Sequence, residues 1–179
     1  MTKETGKFRN IVVCGDVGTG TTTLSKSLAE RLGWKHIGIG GFFRDYHKRH
    51  SIPLWDKSRI PDEIDKKIDL ELFEKLKAGK NIVFDAHYGG WFARNLNDVL
   101  RILLVCNKKT ADERILTRKH TYKETSDEIE KRRKQLRDKF KKLYSDDNYE
   151  DPRFFHLIIN TSKSDVEETF TKAYEVFKS

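Results

Sequence analysis

At 179 residues, 36% of them hydrophobic and 36% charged, the chain carries enough apolar side chains for one self-sufficient core, so a single domain without metal or disulfide support is expected. No apolar run approaches the roughly 20 residues that span a bilayer, and the polar stretch Met1 to Asn10 lacks the apolar segment of a secretory signal, so a cytosolic compartment is expected. The net charge of +8 points to a polyanionic partner, a nucleic acid or a set of phosphates, and the basic residues concentrate between Arg118 and Lys142, as a phosphate site or a solvated helix face would.

In chain order, the apolar run Ile11 to Cys14 reads as a strand that ends in a Gly-rich stretch, Gly15 to Gly20. Leu24, Leu28 and Leu32 then recur every four residues, as on a helix, and Gly33 stands where a left-handed C-terminal residue is expected. Ile37 and Ile39 alternate as a short second strand would. Two helices are predicted between Phe42 and Lys80, joined around Pro53 and Pro61, the second with Ile64, Ile68, Leu72, Phe73 and Leu76 on one face. Ile82 to Asp85 and Val99 to Cys106 read as central strands, and Cys14 and Cys106 as buried thiols at strand ends. A helix around Ala111 to Arg118, a long basic helix around Ser126 to Leu143 and a strand near Phe155 to Ile159 follow. A terminal helix is expected to be capped by Ser164 and Glu167 and to bury Val166, Phe170, Ala173, Tyr174 and Phe177. Alternating strands and helices predict an α/β fold of three layers, α/β/α, with a mostly parallel five-stranded sheet and a ligand site beyond the carboxyl ends of its strands.

The segment Gly15-Asp16-Val17-Gly18-Thr19-Gly20-Thr21-Thr22, continued by Thr23, has the spacing of a P-loop, whose glycines let backbone N–H groups converge on phosphate oxygens. The positive end of the following helix adds to that anion site, and Thr22 stands where a magnesium-binding hydroxyl is required. The lysine that normally follows the last glycine is Thr21 here, and Lys26 falls too far along the helix to replace it. A dinucleotide site fits less well, because the glycines are not in G-x-G-x-x-G order and the second strand ends in Gly40-Gly41 where an acidic ribose ligand is wanted.

The phosphate loop, Gly40-Gly41-Phe42-Phe43-Arg44, the run from Asp62 to Asp69, Gly90-Trp91 and the ending Ile158-Ile159-Asn160-Thr161-Ser162 occur together in order, and over nearly the whole chain the sequence resembles the short cytidylate kinase family. The resemblance implies a nucleotide donor on the P-loop and a nucleoside monophosphate held by a small helical insert, about residues 41–80, beneath a helical lid, about residues 118–145. It implies that Arg44 grips the acceptor phosphate and that Asp65 and Asp69 line the acceptor pocket, although on spacing alone these carboxylates are equally at home in solvent. Gly90 and Trp91 belong to the same matched set of acceptor residues. Asp85, at a strand end, is placed to orient magnesium or its water ligands. His87 replaces an expected arginine and either meets the acceptor phosphate when protonated or is structural. Arg114 and Arg118 match arginines entering the lid, which Arg132, Arg133, Arg137 and Lys139 continue as cations for the transferring phosphate.

The function expected from this is phosphoryl transfer from ATP, with magnesium, to CMP or dCMP by a cytosolic monomer. The alternative is a nucleotide-binding or RNA-associated P-loop protein with little or no catalysis, for which Thr21 and His87 speak. A dedicated RNA-binding domain ranks last, because aromatic residues are not interleaved with the basic segment.

Overall fold

The computed structural model describes residues 7–118 and 123–179; part of the expected lid, residues 119–122, and the start of the polar N-terminal stretch lie outside them. Five strands, β1 (Asn10–Gly15), β2 (Lys35–Gly38), β3 (Ile82–Asp85), β4 (Val99–Val105) and β5 (Leu157–Asn160), form one sheet in the order β2-β3-β1-β4-β5. Every pairing is parallel, so the sheet is wholly rather than mostly parallel. The helices are α1 (Thr21–Leu32), α2 (Ile39–Arg49), α3 (Asp62–Ala78), α4 (Gly89–Phe92), α5 (Lys108–Leu116), α6 (Ser126–Leu143) and α7 (Val166–Lys178).

Strand periodicity divides the core into two layers. Ile11 and Val13 of β1 face α1 and α7 with Leu24, Leu28, Ala173 and Phe177, whereas Val12 and Cys14 face α3 and α4 with Leu72, Leu76 and Ala93. Both layers are dry, which makes β1 the most protected strand of the sheet and fixes the loop that leaves its carboxyl end.

Several expectations need correction. Ile39 does not continue β2; the chain turns at Gly38 and Ile39 opens α2. On α3 the buried positions are Asp65, Asp69, Leu72 and Leu76, so the inner face begins with two carboxylates, while Ile64, Ile68 and Phe73 are only half-buried. Strand β4 includes a buried arginine: Arg101 donates to the carbonyls of Phe154 at 2.7 Å and Leu96 at 2.7 Å, which meets the hydrogen-bonding demand of its guanidinium. Cys14 is fully buried but Cys106 is half-buried, beyond the end of β4. The cap of α7 is Asp165 paired with Glu168, one residue later than the Ser164–Glu167 box, and this register leaves Val166 62% exposed.

Candidate active site

Strand β1 delivers Gly15 to the carboxyl edge of the sheet, and the chain curls from there to Gly20 before α1 begins. Asp16 stiffens the curl: its carboxylate accepts from Val17 N at 2.7 Å and its carbonyl accepts from Thr19 Oγ1 at 2.8 Å. Gly18 adopts φ +85°, and a Cβ there would lie 2.5 Å from the carbonyl oxygen of Ala111 on α5, so a side chain is excluded by both conformation and space. Gly20 precedes α1 without any side-chain cap, which leaves the first N–H groups of the helix available to an anion. Thr22 Oγ1 donates to Asp85 Oδ2 at 2.5 Å, joining the start of α1 to the end of β3.

One cavity runs from this loop to the insert between β2 and β3. Asp16, Val17, Gly18, Gly20, Thr21, Thr22 and Thr23 line one end; Phe43, Leu54, Lys57, Asp65 and Asp69 line the other; Arg44, Asp85, His87, Arg118, Arg132 and Lys139 also border it. A second cavity lies across the loop, between α1 and the start of α7, bordered by Leu24, Leu104, Arg114, Thr161 and Val166. Gly18, Gly20, Thr23 and Arg118 line both, so the two chambers meet at the phosphate loop under Arg118.

The cations fall into two groups. Arg133 is buried and committed: it pairs with Asp16 at 3.1 Å and Asp112 at 2.6 Å and donates to the Val17 carbonyl at 3.4 Å, tying α6 and α5 to the loop. Arg114 donates to Thr161 O at 2.7 Å and Thr161 Oγ1 at 3.0 Å, and Thr161 Oγ1 in turn donates to Thr19 O at 2.9 Å. Arg132 is buried against Glu124 at 2.8 Å, and Lys139 joins Asp65 and donates to Ile60 O at 2.6 Å. By contrast, Arg44 and Arg118 enter no ion pair among the described residues. Partial burial, and then the neighbouring Arg44, pull Arg118 below the usual arginine range, against the opposing pull of Glu124 and Asp85.

His87 donates from Nδ1 to the carbonyl of Gly15 at 2.8 Å. Burial favours its neutral form, more strongly than Asp16 and Asp85 favour the charged one, and the ring borders the cavity while it props the loop. Three expected site residues, unlike His87, stand outside both cavities. Gly90 is packed under the ring of Phe155, where a Cβ has no room, and its N–H meets Cys14 Sγ at 3.1 Å. Trp91 donates to Asp147 at 2.9 Å and stacks under Arg94. Arg137 is 53% exposed on α6, 3.9 Å from Glu130, and its charge is felt by Tyr149 and Glu150. None of these three lines either cavity.

The site also contains a residue that sequence reasoning overlooked. Lys57 lies on a short 3-10 turn, Lys57–Arg59, buried in the cavity wall with its ammonium 4.1 Å from the centre of the Phe43 ring. Around it the acids respond to burial: Asp69 is pushed up to about 7 although Tyr144 donates to it at 2.8 Å, and Asp65 is raised as well.

A phosphate loop at the edge of a parallel sheet, opening into two chambers that meet under Arg118, defines a P-loop phosphotransferase. A family model described as an AAA domain matches residues 11–138. The cytidylate kinase of Sulfolobus acidocaldarius is 36% identical over 156 residues, covering 85% of each chain. That of Pyrococcus horikoshii is 35% identical over 164 residues, covering 89% of this chain and 83% of its own. Among solved structures, a gluconokinase from Sinorhizobium meliloti superposes with a TM-score of 0.64 at 16% identity, over 95% of this chain and 94% of its own, a likeness of fold. The chain belongs to the cytidylate kinase family.

Proposed function

We propose that the protein transfers the terminal phosphoryl group of ATP to CMP or dCMP, acting as a cytosolic monomer with magnesium. The observation that carries this reading is the meeting of the two cavities at Gly18, Gly20, Thr23 and Arg118. A donor whose base occupies the second chamber lays its phosphates along the loop, and an acceptor in the insert chamber presents its own phosphate to the outermost of them. An acceptor phosphate oxygen attacks the terminal phosphorus and the bond to ADP breaks, so no protein nucleophile is required.

In this reading the loop N–H groups and the start of α1 hold the donor phosphates, and Arg44 holds the acceptor phosphate. Arg118 neutralises charge on the transferring oxygens, in place of the lysine that Thr21 displaces. Thr22 Oγ1 and the Asp85 carboxylate are hard oxygen donors held 2.5 Å apart beside the loop, a set that suits magnesium. When bound there, magnesium supplies charge neutralisation between the donor phosphates. Asp16, Arg133, Arg114 and His87 keep the loop in shape. Arg132 and Lys139 border the acceptor chamber, and their pairs with Glu124 and Asp65 hold α6 over it.

The test is a coupled assay of ADP formation with ATP, magnesium and each nucleoside monophosphate in turn, with an acceptor-free control. Turnover stimulated by CMP or dCMP supports the reading. Tight ATP binding without turnover on any acceptor sinks it, and supports the second reading that Thr21 favours, a nucleotide-binding protein without chemistry.

A further inference from the structure

The insert end of the cavity has flat apolar walls and a charged edge. Phe43, Leu54, Tyr88 and Leu136 line it, with Lys57, Asp65 and Asp69 between them. Lys57 is only 7% exposed, and among the described residues its ammonium makes no hydrogen bond and no ion pair. The two carboxylates nearest to it are already engaged, Asp65 by Lys139 and Asp69 by Tyr144. The backbone that carries it is fixed from both sides, since Ile60 N bonds the Lys57 carbonyl at 3.2 Å and Ser58 N bonds Gln135 of α6 at 3.2 Å. An ammonium buried against the face of Phe43, with no hydrogen bond or ion pair among the described residues, costs stability and is held there by the surrounding structure. Burial above all, with Arg132 and Lys139 adding to it, drags the lysine down to about 7 against the pull of Asp65 and Asp69.

We propose that Lys57 reads the base of the acceptor: its ammonium donates to the ring carbonyl, while Asp65 and Asp69 accept from the amino group on the same ring edge. The assignment rests on the acceptor reading given above and adds to it the residue that selects the base. Phosphate recognition is already provided for at the other end of the chamber by Arg44, Arg118 and the loop, whereas the apolar walls around Lys57 fit a flat ring. An edge that both donates and accepts matches an amino-pyrimidine and leaves the carboxylate acceptors facing an oxygen when a carbonyl replaces the amino group.

The experiment is titration calorimetry and thermal melting of the full chain and of Lys57→Met, with ATP, CMP, UMP and the base-free probe ribose 5-phosphate. Loss of a hydrogen bond from a charged donor raises the CMP Kd about tenfold or more. The ATP Kd and the ribose 5-phosphate Kd stay within about twofold, because neither ligand touches the base subsite. The melting temperature is unchanged or higher, since the variant removes a buried charge. Lys57→Arg keeps the charge and recovers part of the CMP affinity. Unchanged CMP affinity in Lys57→Met overturns the assignment. Equal weakening of CMP and ribose 5-phosphate also overturns it and makes Lys57 a phosphate contact, and a lower melting temperature with parallel loss of ATP affinity makes it structural. Failure of the acceptor reading itself shows in the unaltered protein, which then binds ATP and none of the monophosphates.

Discussion

The two ends of the cavity are built on opposite electrostatic plans. At the phosphate loop the polar side chains that shape the loop are engaged by protein: Arg133 pairs with Asp16 and Asp112, Arg114 with Thr161, His87 with Gly15. At the insert, polar groups are buried with less compensation: Lys57 makes no hydrogen bond or ion pair among the described residues, Asp69 is pushed up to about 7, and both ring nitrogens of buried His47 are unmatched there. The contacts at the loop end tie it to α5 and α6, whereas the insert end buries polar groups with fewer partners. Substitutions at the first end should therefore cost folding, and at the second should cost binding while sparing or improving folding.

The largest expected effect tests Arg118, which stands where the chambers meet. Arg118→Met should lower kcat with CMP by about a hundredfold to a thousandfold, as loss of one well-placed cation at a transferring phosphate does, with the melting temperature unchanged. A steady-state rate within threefold of the parent removes Arg118 from the chemistry. Next, Arg133→Met leaves the Asp16 and Asp112 carboxylates without their buried partner. It should destabilise by about 3 kcal/mol, read as a fall in melting temperature of roughly 6–12 °C. A fall of less than 2 °C would show that the loop does not depend on this tie.

A smaller effect separates the ends by pH. Asp69 in the folded chain binds its proton up to about 7, far above the ordinary carboxylate value of 3.8, so its proton stabilises the fold as pH drops from 7 toward 4. Above 7 the carboxylate is charged in both states and its burial is uncompensated. Asp69→Asn should therefore melt a few degrees above the parent at pH 8.5, an advantage that shrinks as pH falls through 7 and is gone near pH 4. A difference constant across that range refutes the raised titration. The smallest effect belongs to Arg137→Ala: with a 53% exposed side chain and one long contact, it should change kcat by less than about twofold and stability by less than about 0.5 kcal/mol.

The donor half was readable from the sequence because its signals are local: an apolar run, glycines at fixed spacing, a hydroxyl and a four-residue leucine repeat are contiguous from Ile11 to Leu32. The acceptor half depends on surfaces that meet across the fold. Lys57 stands in a 3-10 turn between Pro53 and Pro61, where no periodicity marks it as buried. Asp65 and Asp69 were legible as a helical pair, but their face was set by α6 packing over α3 through Lys139 and Tyr144, about 75 residues away in sequence. Arg114 and Arg137 looked alike as lid cations; whether a guanidinium faces the loop or solvent is decided by helix rotation, which composition does not encode. Trp91 was placed in the acceptor site on the strength of its neighbours, whereas its indole pins the Asp147 loop.

Helix α6 touches both ends. Arg133 grips the loop, Tyr88 donates to the carbonyl of Leu136 at its middle, and Lys139 and Lys142 hold Asp65 and Asp62 of the insert. From Arg133 to Lys142 is nine residues of unbroken helix, a rod of about 14 Å. Because one helix carries both sets of contacts, a tilt of α6 as the insert settles on one ligand would move Arg133 against the loop that grips the other, which is the coupling to test. The factor by which ATP tightens the monophosphate must then equal the factor by which the monophosphate tightens ATP, and both should shrink together when Lys139 and Lys142 are neutralised.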